Sequence, residues 1–228
     1  MILKKVIILS CILFFAIAPL AGCTVQYSFR SVYTKDTLDD DFNGTDDKIQ
    51  SLVNNSGSSS TAIVYVDTDG TGNYNCDGIN DHVEINKALA YIDSIGGGTV
   101  YLKGPHTYWI DDTMRIWSNT VLTGDPTAEI KLVANAGWST QVPIFTARGG
   151  SHNIKITGFT IDGNSGNQTE GLGEGYYNMI YFWNVKDVEV SHMHLEWGHG
   201  DGLRTEECSD IKFLYNDVYK LGHDGVYY

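Results

Sequence analysis

The sequence contains little proline, little cysteine and few basic residues, and each shortage narrows what the protein can be. Of its 228 residues only 4 are proline and 4 are cysteine, whereas 25 are glycine. Cys11 and Cys23 lie in or directly after an N-terminal apolar run, so that only Cys76 and Cys208 remain for the fold. Two cysteines so far apart do not indicate a disulfide framework. The abundance of glycine is typical of many short strands joined by tight turns.

Basic residues are outnumbered by acidic ones. Lysine and arginine together number 15 against 28 acidic residues, which gives a net charge of −13. The chain therefore lacks the basic footprint of a nucleic-acid-binding protein, and we expect no nucleic-acid partner. A polyanion could be held only by a local group of lysine and arginine residues or by bound cations.

The one long hydrophobic run lies at the N-terminus. Two lysines precede an apolar stretch from Val6 to Leu20, which is typical of a secretory signal over residues 1–22. Leu20-Ala21-Gly22-Cys23 resembles the lipobox of exported lipoproteins, which implies that Cys23 is lipidated; the alternative is an ordinary signal peptide with a chance cysteine. Residues 23–60 are polar and predict a flexible tether. Together these features predict an exported protein, anchored in the membrane by lipid at the outer cell surface.

Residues 151–228 repeat one short pattern. Val188 and Ile211 occupy equivalent places 23 residues apart, and so do Asp201 and Asp224. A fixed period of this length, made of short β-type runs, predicts a solenoid in which each repeat buries its apolar face on its neighbours. The residues predicted to stack inward in columns are Ile154, Ile156, Val188, Val190, Ile211 and Phe213.

One interval in this pattern is longer than the others. Ile154 and Val188 are 34 residues apart, because the glycine- and asparagine-rich segment Gly163–Tyr177 is inserted between them. Insertions of this kind map to one face of a solenoid, often the binding face.

A single amphipathic helix is predicted before the repeats. Its apolar residues recur at helical spacing and are Ile85, Ala88, Leu89 and Ile92. Asp81 is the predicted N-cap, with Glu84 completing a capping box, and Gly96–Gly98 ends the helix. A β-branched run, Ala62–Val66, comes before the helix, and Thr99–Leu102 follows it as a strand.

This order of elements carries a resemblance. The sequence from Asp81 to Leu89, followed by Gly96–Leu102, resembles the N-terminal cap of pectate-lyase-like right-handed parallel β-helices. The wider sequence from Asp67 to Gly78, with Asn119–Asp125, is similar to archaeal cell-surface β-helix proteins related to disaggregatase, which act on or sit in a polysaccharide matrix.

The resemblance implies an all-β solenoid, a right-handed parallel β-helix with a short N-terminal capping helix. Residues 61–118 would form the cap and first strands, and residues 119–228 the coils. The chain stops at Tyr228 in the middle of a repeat, so we expect a truncated C-terminal end.

Asp201 and Asp224 are the predicted catalytic pair. On successive coils they would lie about 4.8 Å apart, and two such carboxylates can divide into the acid and base of glycoside hydrolysis. The pair also resembles the acids of polygalacturonase-type hydrolases, although His223 replaces an expected aspartate and Gly200 an expected Asn-Thr pair. The alternative is structural, because Asp-Gly commonly turns a corner.

Elimination is the second possible chemistry at the same place. A lyase needs a base and a cation that neutralises a uronate carboxylate, and Arg204, Lys212 and Lys220 are the nearby candidates. We include His223 and Arg204 among the catalytic candidates. His199, Trp197 and Tyr227 are the candidate substrate-binding residues, the aromatic ones because their rings suit sugar faces.

A possible calcium loop precedes the helix. Asn73, Asn75, Asp77, Asp81 and Glu84 match ligand positions of a twelve-residue calcium loop. The capping box explains the last two equally well. The sequence thus predicts a cell-surface protein that engages matrix polysaccharide, as a hydrolase or lyase with a possible Ca²⁺ ion. The rival interpretation is a non-catalytic carbohydrate-binding, adhesion or structural module.

Overall fold

A computed structural model describes residues 62–138, 142–147, 149–169, 171–173 and 177–228, together with the backbone of a strand at Val25–Ser28. The predicted signal segment, Cys23 and the rest of the predicted tether lie outside the described residues. Among the residues that are described, no helix is long and apolar enough to cross a membrane.

The protein is a right-handed parallel β-helix, as predicted. Strands are numbered in chain order and form three sheets in which every strand pair is parallel. Sheet A contains β1 (Val25–Ser28), β2 (Ile63–Asp67), β3 (Tyr74–Asn75), β4 (Gly98–Leu102), β7 (Thr120–Gly124), β10 (His152–Thr157), β13 (Lys186–Ser191) and β16 (Ser209–Leu214). Sheet B contains β5 (His106–Ile110), β8 (Ala128–Leu132), β11 (Thr160–Asp162), β14 (His194–Glu196) and β17 (Asp217–Tyr219). Sheet C contains β6 (Met114–Ile116), β9 (Phe145–Ala147), β12 (Ile180–Trp183), β15 (Leu203–Glu206) and β18 (Val226–Tyr227).

From β4 onward the chain runs through sheets A, B and C in turn, and each passage is one coil. Ile154 pairs with Val188 and Val188 with Ile211, while Ile156, Val190 and Phe213 form the neighbouring column. All six are buried, so the predicted inward columns are confirmed. Alternation produces this result, because side chains of opposite parity on a strand point to opposite faces. Strand β1, inside the predicted tether, pairs with the outer edge of β16.

Helix α1 (His82–Ser94) covers the N-terminal end of the solenoid. Its buried residues are the four that the periodicity predicted: Ile85, Ala88, Leu89 and Ile92. The predicted capping box is wrong. The Asp81 side chain does not cap the helix; its two oxygens instead accept the N–H groups of Gly78 and Trp109, at 2.9 and 2.8 Å. Glu84 pairs with Lys87 at 3.1 Å.

Short polar residues turn the chain at the start of four sheet A strands. Asn119, Asn153, Asp187 and Asp210 stand at equivalent places and all have φ between 53° and 58°. Asparagine and aspartate tolerate this left-handed conformation better than other residues that carry a Cβ. The Asn153 amide also donates to the Asn119 side-chain oxygen at 3.1 Å, so the corner is tied between coils.

Most of the extra length of the long coils lies between sheet B and sheet C. Thr120 pairs with Ile154 and Ile154 with Val188, so two consecutive coils are 34 residues long. Their long connections, residues 133–144 and 163–179, both join sheet B to sheet C. The sequence pattern predicted the second insertion and missed the first, which precedes the recognisable repeats. The B–C corner, defined as residues 197–202 and 220–225, is the same connection in the two following coils.

Candidate functional site

An aspartate ladder forms the end of the B–C corner. Asn178, Asp201 and Asp224 lie 23 residues apart on three successive coils. The Asp201 N–H donates to the Asn178 side-chain oxygen at 2.9 Å, and the Asp224 N–H donates to Asp201 Oδ1 at 3.0 Å. The predicted stacking of Asp201 on Asp224 is therefore present, and side-chain oxygens hold it together.

Asp201 lies beneath the surface and orients His223. The Asp201 side chain is 1% exposed, and its Oδ1 atom lies 2.6 Å from His223 Nδ1. A carboxylate accepts hydrogen bonds, so this contact favours the tautomer in which Nδ1 of His223 carries the hydrogen and Nε2 keeps a lone pair. Such a fixed imidazole is the arrangement that general bases need.

Asp224 and Arg204 complete the cluster. The Asp224 side chain is 56% exposed, and its Oδ2 atom lies 3.6 Å from His223 Nδ1. Arg204 lies 3.8 Å from Asp201 Oδ2, donates to Glu206 at 2.9 Å and covers the Tyr227 ring at 4.4 Å. Burial alone would lower the pKa of Arg204, but its bond to Glu206 and the charge of Asp201 raise it, so the cation is retained.

The cluster opens onto the outer face of sheet C. One column of outward side chains there consists of Arg115, Thr146, Tyr181, Arg204 and Tyr227. Beside it, Trp183 pairs with Glu206 and is 48% exposed. The Tyr181 hydroxyl donates to the Glu206 carboxylate at 3.1 Å. This face thus offers aromatic rings and hydroxyls next to the imidazole, together with the Arg204 cation held between Glu206 and Asp201.

The predicted acid pair needs correction. Because Asp201 is buried and already accepts two hydrogen bonds, it cannot meet a sugar directly, and the two aspartates do not face one groove as equals. The group that reaches solvent above Asp201 is His223, whose side chain is 29% exposed. The residue that seemed a departure from the hydrolase pattern therefore lies at the surface, directly above buried Asp201.

His199 as a substrate-binding residue is also wrong. It is fully buried, stacks on Tyr177 at 4.4 Å and contacts the Gly171 carbonyl through Nδ1 at 2.9 Å. The Gly173 N–H donates to the His199 carbonyl, so His199 fastens the inserted loop to the B–C corner. The described residues of this loop therefore contact the B–C corner at His199, and that they border a substrate groove stays a prediction.

The other two substrate-binding candidates lie apart. Tyr227 is under Arg204, within the cluster. Trp197 stands at the start of the B–C corner, where the Lys220 ammonium lies 4.0 Å above its ring. Lys220 therefore lies against Trp197, and Lys212 lies on sheet A. Of the three candidate cations, Arg204 is the one that lies in the cluster with His223.

The residues of the predicted calcium loop bind backbone amides. Asn73, Asn75 and Asp77 accept the N–H groups of Tyr65, Gly72 and Ile79, at 2.8 to 3.0 Å. Asp81 is committed to Gly78 and Trp109, and its carboxylate and that of Glu84 converge with the Cys76 thiol rather than with Asp77. Calcium binding stays a prediction, and an ion would have to replace several of these amide contacts.

Sequence reasoning missed two groups. Asn178, the first member of the ladder, could have been found by counting one period back from Asp201. Buried Asp67 contacts Lys103 at 2.7 Å and His106 at 3.1 Å, a grouping without a sequence signal because its members belong to different coils.

Comparisons with known proteins agree with the fold. No family model matches the chain, and no curated protein matches it. Among solved structures, a candidate glycosyl hydrolase from Parabacteroides merdae matches with a TM-score of 0.54 and 19% identity, over 67% of this chain and 78% of that one. A protein of Geobacillus virus E2, ORF18, matches with a TM-score of 0.51 and 21% identity, over 85% of this chain and 37% of that one. At these identities the likeness establishes the parallel β-helix and no more.

Proposed function

We propose that this protein engages extracellular polysaccharide on the outer face of sheet C and cleaves it by elimination. The observation that carries the proposal is the 2.6 Å contact between buried Asp201 and half-exposed His223, with Arg204 beside it. The Parabacteroides merdae protein, which shares the fold, is a candidate glycosyl hydrolase, and this supports a polysaccharide as the ligand.

The chemistry follows from the three side chains. Nε2 of His223 takes the proton next to a uronate carboxylate, and Asp201 stabilises the imidazolium that forms. Arg204 neutralises the uronate carboxylate as charge develops on it. The electron pair of the broken C–H bond forms a double bond, the glycosidic C–O bond breaks, and the leaving oxygen gains a proton from water. Tyr181, Tyr227 and Trp183 supply rings along the path of the chain.

One observation each supports two alternative functions, hydrolysis and non-catalytic binding. Exposed Asp224 next to His223 would suit hydrolysis, with the carboxyl group as acid. The bonds from His223 and the Asp224 amide to Asp201 would equally serve a structural corner in a non-catalytic binding module.

The chemistry of the products separates these possibilities. The full chain is incubated with polygalacturonate or alginate, and both new reducing ends and the ultraviolet absorbance of unsaturated ends are measured. We expect equal yields of the two, and a loss of about 10²-fold or more in rate for His223→Ala. Trp197→Ala, on the other side of the corner, is the control and should keep most of the rate. Reducing ends without unsaturation would assign hydrolysis, and polymer binding without cleavage a binding module.

We also propose that the protein is exported and anchored in the membrane at the outer cell surface through Cys23, as the resemblance of Leu20–Cys23 to a lipobox implies. In cells, Cys23→Ala should shift the protein from the membrane fraction to the medium or block its processing. Unchanged retention and electrophoretic mobility would remove the lipid anchor and leave only the signal segment.

A further inference from the structure

The outer face of sheet B carries a second groove that the proposed function does not use. Two columns of outward side chains line it. The first column is Thr107, Glu129, Thr160, His194 and Asp217, and the second is Trp109, Lys131, Asp162, Glu196 and Tyr219. The groove has a volume of about 400 Å³ and is walled by Pro105 and Pro126 on the side of sheet A. Of these residues Thr107, Glu129, Thr160, His194 and Glu196 line the cavity itself, which crosses four of the five coils and so extends roughly 15 Å along the solenoid axis.

The groove offers closely spaced hydrogen-bonding groups on an apolar support. The Thr107 hydroxyl donates to Glu129 at 2.8 Å, and the His194 ring lies between Glu196 at 3.2 Å and Asp217 at 3.0 Å. Proline rings and threonine methyl groups lie beside these polar atoms. At the two ends of the second column stand half-buried Trp109 and 49% exposed Tyr219. Alternating polar atoms and ring faces match a chain of sugar rings.

The charges of the groove determine which glycan fits. Oxygen atoms of Glu129, Asp162 and Glu196 lie within 4.8 Å of one another. Lys131 hydrogen-bonds to Asp162 and lies 3.7 Å from Glu129, so it occupies the place that a metal ion would need. The remaining negative charge repels uronates and sulfated sugars, whereas carboxylates are good acceptors for sugar hydroxyls.

We propose that the sheet B groove binds a neutral glycan strand lying along the solenoid axis. This neutral glycan is distinct from the acidic polymer proposed to bind sheet C. The two polymers would bind different sheets of the same coils. The protein would thereby hold one component of a matrix while acting on another.

Two variants of the full chain test this groove. Thr160 pairs with both Glu129 and His194, so Thr160→Arg fills the centre of the groove and neutralises its acids. Glu129→Gln keeps the shape and removes one charge. Ser94→Arg, at the exposed end of α1, is the matched control for an added arginine. Dissociation constants are measured by affinity electrophoresis and calorimetry with soluble galactomannan, xyloglucan and mixed-linkage glucan, and melting temperatures confirm folding.

We expect at least one neutral polymer to bind the wild type, and Thr160→Arg to weaken it about tenfold, which equals about 1.4 kcal/mol. Glu129→Gln should weaken it less, and Ser94→Arg and His223→Ala should not change it. Absence of binding to all three polymers would overturn the proposal. So would neutral-glycan binding that persists in folded Thr160→Arg and Glu129→Gln. Because His223→Ala alters only the elimination assay, failure of the groove and failure of the sheet C site are distinguishable.

Discussion

Two stretches rich in aspartate and asparagine, the N-terminal loop (residues 67–81) and the B–C corner, use the same residue types differently. In the loop, the side-chain oxygens of Asn75 and Asp77 accept N–H groups of the loop itself, and that of Asn73 accepts the N–H group of Tyr65 in the preceding strand. In the corner each oxygen accepts the amide of the next coil, and the ladder ends in exposed Asp224 beside His223. Stacking therefore brings side chains from different coils together. A loop without stacked neighbours uses its side-chain oxygens mainly to accept hydrogen bonds from nearby backbone N–H groups.

The largest loss of stability is expected at Asp81, which links the N-terminal loop to sheet B through the Trp109 N–H group. Asp81→Ala should lower the free energy of unfolding by about 3 kcal/mol, because two N–H groups at a buried site lose their acceptor. Urea unfolding measures the loss. Glu84→Ala, which removes only the pair with Lys87, should cost less than about 0.5 kcal/mol. Equal losses in the two variants would restore the capping box.

In the B–C corner, substituting buried Asp201 should cost more stability than substituting exposed Asp224. Asp201→Ala should cost about 2 kcal/mol, because the Asp224 amide and the His223 ring lose their shared acceptor. Asp224→Ala should change stability by less than about 0.5 kcal/mol, since its side chain is more than half exposed. The same urea series measures both variants. Similar costs for the two would mean that the ladder does not support the corner.

Asp67, at the start of the loop, makes the free energy of unfolding depend on pH in the acid range. Burial alone would raise the pKa of Asp67, but the Lys103 ammonium, the Thr71 hydroxyl and the Asp69 amide together hold it well below its usual range. The folded state then binds the proton less readily than the unfolded state. The stability that ionised Asp67 contributes is fully present above about pH 4, and it is lost as the pH falls toward the pKa of Asp67 in the folded state.

Asp67→Asn should accordingly lower stability at neutral pH by about 1.5 kcal/mol and flatten its fall between about pH 4 and pH 2. Unfolding followed from pH 7 to pH 2 measures both. Asp125→Asn, whose side chain accepts the exposed Thr127 amide at 2.9 Å, is the control. Parallel acid profiles for Asp67→Asn and wild type would show that another carboxyl group carries the acid dependence.

The smallest expected effect concerns calcium. If the loop exchanges amide contacts for an ion, millimolar calcium should raise the melting temperature by a few degrees, because only the folded state offers the site. Asp77→Ala should remove that gain, whereas Asp224→Ala should leave it. A melting temperature that does not respond to calcium would assign the loop oxygens to backbone support alone.

The fold was largely predictable because its causes are periodic. The alternation around Val188 and Ile211 and the helical spacing in α1 both report burial, and burial decides these elements. The site was predictable only in position. The 23-residue step places Asp201 beside Asp224, but no spacing shows that Asp201 is buried or that His223 lies above it. His199 misled for the same reason, since residues inside a corner follow neither strand nor helix periodicity.

The extra length between sheets B and C in the two long coils makes this protein suited to grafting. Compared with the six-residue connection 197–202, the two long coils accommodate six and eleven additional residues there, and Ile154 keeps its pairing with its neighbours on either side. A Cβ added at Gly166, in the second of these connections, would meet open space. A peptide tag or protease site inserted after Gly166 should therefore be displayed, and cut, on a solenoid that stays wound.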